Sequence, residues 1–136
     1  MSNQKKITAM KKLFLIMLLA FVSVNAYSQS DDADNDVYNM VDQSAKFQDG
    51  YNSIIKFVQE NIKFPAEAKE NNVHGRLMLS VVVEKDGSLS DITVKKGLGY
   101  GLDEEIVRII KMMPKWQPAQ HKGKTVRQTQ TIVIPF

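Results

Sequence analysis

One stretch limits the fold more than any other: RLMLSVVVEKDGSLSDITVKK, residues 76–96. Leu77, Leu79, Val81 and Val83 alternate with Arg76, Met78, Ser80, Val82 and Glu84. A period of two puts the four apolar side chains on one face of a strand, which no helix could do. Asp86-Gly87 then calls for a reversal, and the pair suits a two-residue hairpin turn with positive φ at both positions. The returning strand is expected from about Ser88 to Lys96, with Ile92 and Val94 on the buried face. Leu89 is out of phase with them by one residue, which predicts a bulge near Ser90-Asp91.

The flanking segments switch to helical spacing. Tyr51, Ile54, Ile55, Val58 and Ile62 recur at three to four residues. Asp49 is placed to cap that helix, which begins near Gly50. Pro65 ends it, because the residue before a proline is pushed out of helical φ/ψ. Pro65 also suits the first turn of a next helix, PAEAKENN, closed by Asn71 or Asn72 and then Gly75. After the connector GLGYG, Leu102, Ile106, Ile109, Ile110, Met113 and Trp116 trace one face of a third helix. Asp103, Glu104 and Glu105 sit in its first turn, where the helix dipole favours anions. Pro114 and Pro118 stop it. A polar loop, AQHKGK, leads to a last strand, Thr125 to Phe136. There Val126, Ile132, Ile134 and Phe136 share a face, with Gln128 and Gln130 between them. The order helix–helix–hairpin–helix–strand predicts an α+β domain. Its expected sheet is three-stranded and mostly antiparallel, with helices packed on one face.

The first 44 residues read differently. Lys11-Lys12 precede a 12-residue apolar run, Leu13 to Val24. As a helix it would span roughly 18 Å, short of the ~30 Å hydrocarbon core of a bilayer. Small residues follow, so residues 1–28 are expected to be a cleavable signal peptide that sends the chain to the periplasm. The alternative is an uncleaved anchor in the inner membrane. The run QSDDADND is too polar to order itself, and residues 29–44 are expected to be a flexible acidic lead-in to a domain at 45–136. Within this region Val37–Phe47 reads as either a short strand or an extended arm. Four of the 18 Lys and Arg residues lie before residue 13, and the first acid is Asp31. The rest of the chain carries 14 basic and 15 acidic residues, so the net charge of +3 gives little support to nucleic-acid binding.

Chemistry is sparse. With no cysteine there is no disulfide, thiolate metal site or thiol nucleophile. His74 and His121 are 47 residues apart in the chain, without metal-ligand spacing. GLGYG lacks the spacing of a phosphate loop. Glu67 with Glu70, and Glu104 with Glu105, are helix-surface acids with no cleft to face across. No serine sits in a nucleophile turn. The expectation is therefore no catalytic residue, no metal, no cofactor and no small-molecule substrate.

Taken in order, the motifs resemble the C-terminal domain of TonB. They are Phe64-Pro65 with Ala68, Gly75 opening a strand, the Asp86-Gly87 turn, a helix ending in Trp116 with Pro118, and the final strand Thr125–Phe136. The resemblance covers about 70 residues, and its specificity lies in the ordered set. It implies binding of a short extended segment, the TonB box, from the N-terminus of outer-membrane TonB-dependent transporters. The mode it implies is strand addition beside the last strand. The membrane helix and proline-rich spacer of that family have no counterpart in this sequence, so peptide binding carries over more directly than force transmission. The implied peptide-binding residues are Asn61, Ile62, Lys63, Arg127, Gln128, Thr129, Gln130, Thr131 and Ile132. The polar, β-prone run Arg127–Thr131 suits an open edge. Five ladder hydrogen bonds at a net ~1 kcal/mol each would supply roughly 5 kcal/mol before ordering costs. The alternative reading is an envelope assembly protein that forms a homodimer through the same edge.

Overall fold

The computed structural model describes residues 35–136. Their elements run β1 (Val37–Tyr38), α1 (Tyr51–Asn61), α2 (Ala66–Glu70), β2 (Arg76–Val83), β3 (Leu89–Lys96), α3 (Leu102–Lys111), β4 (Ala119–His121) and β5 (Lys124–Pro135). The α+β class is as expected, but the described residues form a five-stranded sheet in place of three strands. Strands lie in the order β1-β5-β2-β3, and β4 pairs with β5. All pairs are antiparallel except β1 with β5.

The alternation in β2 acts as read. Leu77, Leu79, Val81 and Val83 are all fully buried. They meet Val126, Ile132 and Ile134 of β5 and, from the helices, Ile54, Val58, Ile106, Ile109 and Ile110 in one core. Wholly burying one such side chain contributes about 1.5–3 kcal/mol, so this shared core holds α1 and α3 to the sheet. The residues just before α1 belong to it as well: Ala45 and Phe47 are buried, and the Phe47 ring lies 5.6 Å from Trp116 and 5.8 Å from Phe57. The part of 29–44 that is described is thus built into the sheet from Val37 on, by β1 and by a bridge from Gln43 to Gln120. The leader 1–28 lies outside the described residues. Among those described, no helix is long and apolar enough to cross a membrane.

Local geometry departs from expectation in five places. α3 ends at Lys111, so Met113 and Trp116 lie beyond it and not on its face, because Pro114 pushes the residue before it out of helical φ/ψ. The loop at Asp86-Gly87 has three residues, with Glu84 N–H donating to the Ser88 carbonyl (2.8 Å) and Gly87 N–H to the Glu84 carbonyl (2.9 Å). Only Gly87 has positive φ, +85°, because the Asp86 carboxylate turns back to accept from the Ser88 N–H and hydroxyl. Glycine is required there for a second reason: a Cβ would stand 2.1 Å from the Trp116 carbonyl oxygen. A two-residue turn with both φ positive does occur, at Lys122 (+50°) and Gly123 (+75°). It folds the expected polar loop back as β4, whose Ala119 faces Val126 of β5. The cap of α1 is Gly50 without a side-chain hydrogen bond, so Asp49 does not fill that role. Finally, α1 ends at Asn61, and Pro65 is the cap of α2, leaving a short extended link between them. The bulge read from Leu89 is present: Ser80 faces Thr93 and Val82 faces Ser90, so Val81 opposes two residues, and Asp91 has φ +46°.

Candidate peptide-binding edge

Hydrogen-bond parity shows which side of β5 is open. Gly75 and Phe136 exchange both backbone bonds, at 3.1 and 2.8 Å. In an antiparallel ladder every second residue bonds to the same neighbour. Ile134, Ile132, Gln130 and Gln128 therefore face β2, opposite Leu77, Leu79, Val81 and Val83. The backbone groups of Val133, Thr131, Thr129 and Arg127 point the other way. On that side β1 is the neighbour, and it pairs with Arg127 and Gln128 only. Among the described residues no strand lies beside Thr131, Val133 or Pro135.

The expected site residues divide accordingly. Thr129 and Thr131 lie on the open edge. Arg127 and Gln128 do not offer free backbone, since β1 occupies the outward side there; this corrects the expectation of an edge open from Arg127 on. Gln128 and Ile132 turn their side chains into the core, where both are buried. Gln128 is satisfied inside: its Oε1 accepts from Ala45 N–H at 2.8 Å and from Gln130 Nε2 at 2.8 Å. Gln130 Nε2 also donates to the Ala45 carbonyl (3.2 Å). These bonds tie the segment before α1 across the core face of β5.

Asn61, Ile62 and Lys63 form the link after α1. A side-chain pair on α3 holds this backbone: Glu105 Oε1 accepts from Lys63 N–H (2.8 Å), and Arg108 Nη2 donates to the Asn61 carbonyl (3.1 Å). Arg108 also bonds Glu105, at 2.5 Å. The Arg108 guanidinium, then the Lys63 N–H, bring the Glu105 carboxyl down to about 2. Phe64 stands edge-on to Phe136, 6.1 Å between ring centres. Ile62 and Phe64, with Ile55, Val58, Gln59 and the last residues of β5, line an apolar groove of about 240 Å³. A second groove of about 230 Å³ lies by Gln130, Thr131 and Ile132, walled by Lys46, Tyr51 and Trp116 among others.

At the other end of the edge, Arg127 Nε meets Glu84 at 2.7 Å, and its Nη1 donates to the Asn35 carbonyl at 2.8 Å. The Arg127 guanidinium, and after it the Ser90 hydroxyl, hold the Glu84 carboxyl below its usual range. Two participants escaped the sequence reading. The spacing places Tyr51 on a helix face, yet its hydroxyl donates to the Val133 carbonyl, an outward edge acceptor. For β1 the sequence admits a short strand and an extended arm alike. Gln128 and Gln130 within an apolar row signal that a further segment supplies their partners, and that segment is Ser44-Ala45, not β1.

Of the remaining motif residues, Trp116 is a core aromatic whose backbone N–H donates to the Gly87 carbonyl at 2.8 Å, while its buried indole Nε1 has no hydrogen-bond partner. Pro118 leads directly into β4. A Cβ at Gly75, whose φ is +144°, would stand 2.9 Å from a methyl of Leu98. Tyr38 lies against His121, and His74 is exposed.

Two solved structures of the TonB C-terminal domain from Helicobacter pylori are similar. One is 20% identical with a TM-score of 0.46, covering 66% of this chain and 82% of that one. The other, a shorter form, is 23% identical with a TM-score of 0.43, covering 60% of this chain and 88% of that one. No curated protein sequence matches. Residues 60–136, more than half of the chain, match the family described as the C-terminal of the Gram-negative bacterial TonB protein, and the chain belongs to that family.

Proposed function

We propose that this domain binds an extended segment, the TonB box of an outer-membrane transporter, by strand addition to the outward side of β5 between Thr129 and Pro135. The observation that carries the reading is the outward side of β5 at Thr131 and Val133, where no described strand lies and only the Val133 carbonyl has a partner, the Tyr51 hydroxyl. An added strand could bond Thr131 N–H and C=O, Val133 N–H and the Pro135 carbonyl. Four such bonds at a net ~1 kcal/mol each give roughly 4 kcal/mol. Micromolar affinity corresponds to about −8 kcal/mol, so side-chain contacts must supply the rest. The two grooves beside α1 offer apolar surface for alternate side chains of the added strand. Family membership fits TonB-dependent transport, and the reading places the domain in the periplasm after removal of residues 1–28.

The test is a titration of the ¹⁵N-labelled chain with a synthetic TonB-box peptide. The amide signals of Thr129, Thr131 and Val133 should shift together and saturate, while those of β3 stay in place. Absence of any shift at millimolar peptide overturns the proposal. Peptide-independent association of the chain, lost on substituting Thr131→Pro, would favour the homodimer instead.

A further inference from the structure

We infer that β1 is a built-in stop that sets the length and register of the segment β5 accepts. This rests on the strand-addition reading and adds a limit to it. β1 occupies the same lane that an added strand would use. Its register, Val37 beside Arg127 and Tyr38 beside Gln128, is parallel. In a parallel ladder the outward residue Arg127 bonds the residues on either side of Val37, and the Tyr38 carbonyl reaches at most the Thr129 amide. The chain then bends at Asn39 and Met40 and leaves the edge. The lane is thus filled up to Thr129 and empty from there to the end of β5.

The stop is held from both ends. Before it, Arg127 Nη1 binds the Asn35 carbonyl. After it, the Asp42 carboxylate accepts from Lys122 N–H at 2.7 Å, and Gln43 exchanges two backbone bonds with Gln120, at 3.0 and 2.9 Å. Between these anchors the Tyr38 ring lies 5.2 Å from His121. A strand entering beside Thr131 and Val133 meets β1 end-on. At ~3.4 Å per residue, Thr129 to Pro135 offers roughly 20 Å. The partner is therefore a short extended stretch of about seven residues, and any residue beyond that must turn out of the sheet at β1.

A series of TonB-box peptides of five, seven and nine residues, extended at either end, tests this by calorimetry on the full chain. On the native protein, affinity should rise to about seven residues and then level off. In the Tyr38→Pro variant, which lacks an N–H for the Arg127 carbonyl, the nine-residue peptide should bind at least fivefold more tightly than the seven-residue one, as expected for one further ladder bond. A second variant, Val37→Gly with Tyr38→Gly, loosens β1 without a proline and should behave alike. Trp116 emission reports that the core is intact in both. Equal gains in native and variant chains, or no gain in either variant, overturn the stop. If no peptide binds any of the three chains, strand addition itself fails and the stop with it.

Discussion

The two free sides of this sheet are built differently. β3 closes one side and is irregular along its length. Its pairing with β2 shifts twice, between Met78 and Leu79 and between Ser80 and Val82. Asp91 stands at φ +46° in the second irregularity, and exposed Lys95 and Lys96 end the strand. Bulges and charges of this kind keep an edge from templating another strand. β5 has neither defence between Thr129 and Pro135. Its pairing with β2 runs without a shift from Arg76 opposite Pro135 to Val83 opposite Gln128. Its outward positions there carry threonine and valine. The sheet is guarded where β3 ends it and left regular where β5 faces outward, an asymmetry that agrees with the proposed docking on β5.

The sharpest way to break this comparison is to put a proline on each edge. Val94 faces Leu79, which bonds β5, so the Val94 amide points outward on β3 just as the Thr131 amide does on β5. Each substitution removes an outward N–H without touching the ladder to β2. Thr131→Pro should lower TonB-box affinity at least 30-fold, because the bond is lost and the ring stands in the lane. Val94→Pro should leave affinity within twofold. Calorimetry on both variants, with urea midpoints to equalise for stability, checks this. Equal losses would show that the peptide does not choose between the edges.

The legible parts of the fold were those with a local period. β2, the faces of α1 and α3, and the bulge at Asp91 all follow from spacing within one segment. β1 and β4 were not legible, since two and three residues carry no period. Val37–Tyr38 is a strand only because Arg127 and Gln128 lie beside it. Ala119–His121 is one because the Lys122-Gly123 turn lays it on β5. Strand character of this kind is supplied by neighbours rather than by propensity. Of the candidate site, the polar run Arg127–Thr131 lies on the strand that has the open stretch. Which of its residues face outward depends on pairing with β2 and β1, so the open stretch moved toward Val133. The Asp86-Gly87 turn was legible as a reversal, while its type depended on Asp86 capping Ser88 and on Trp116 packing over Gly87.

Acid should separate the two sides more gently. Glu105 has its folded carboxyl lowered from 4.5 to about 2. A depressed carboxyl contributes stability that is fully present above the unfolded value and is lost as pH falls through the folded one. The link at Asn61–Lys63 beside the β5 end should therefore loosen between about pH 4.5 and pH 2. The protection of the Lys63 amide against hydrogen exchange, relative to its intrinsic rate at each pH, should fall over that window, with little change at Thr93 in β3. In Glu105→Gln the window should flatten, and the amide should be less protected at pH 6 than in the native chain. Unchanged protection at Lys63 in that variant would mean that the Glu105–Arg108 pair does not hold the link.

The smallest effect concerns a bond that blunts the β5 edge between Thr129 and Pro135. The Tyr51 hydroxyl donates to the Val133 carbonyl, an acceptor that an added strand would otherwise find free. Tyr51 is half exposed, at 49%, so Tyr51→Phe keeps the ring in the wall of the second groove and gives the carbonyl back to solvent. A single exposed hydrogen bond contributes a net ~1 kcal/mol or less, and the urea midpoint should move little. Affinity for the TonB-box peptide should rise two- to fivefold, because binding no longer begins by displacing the hydroxyl. A fall in affinity would reverse the assignment and make Tyr51 a donor to the incoming strand. In either case Thr131→Pro and Tyr51→Phe act on the same lane, so in the double variant the gain from Tyr51→Phe should vanish. Persistence of that gain would place the hydroxyl's effect outside the edge altogether.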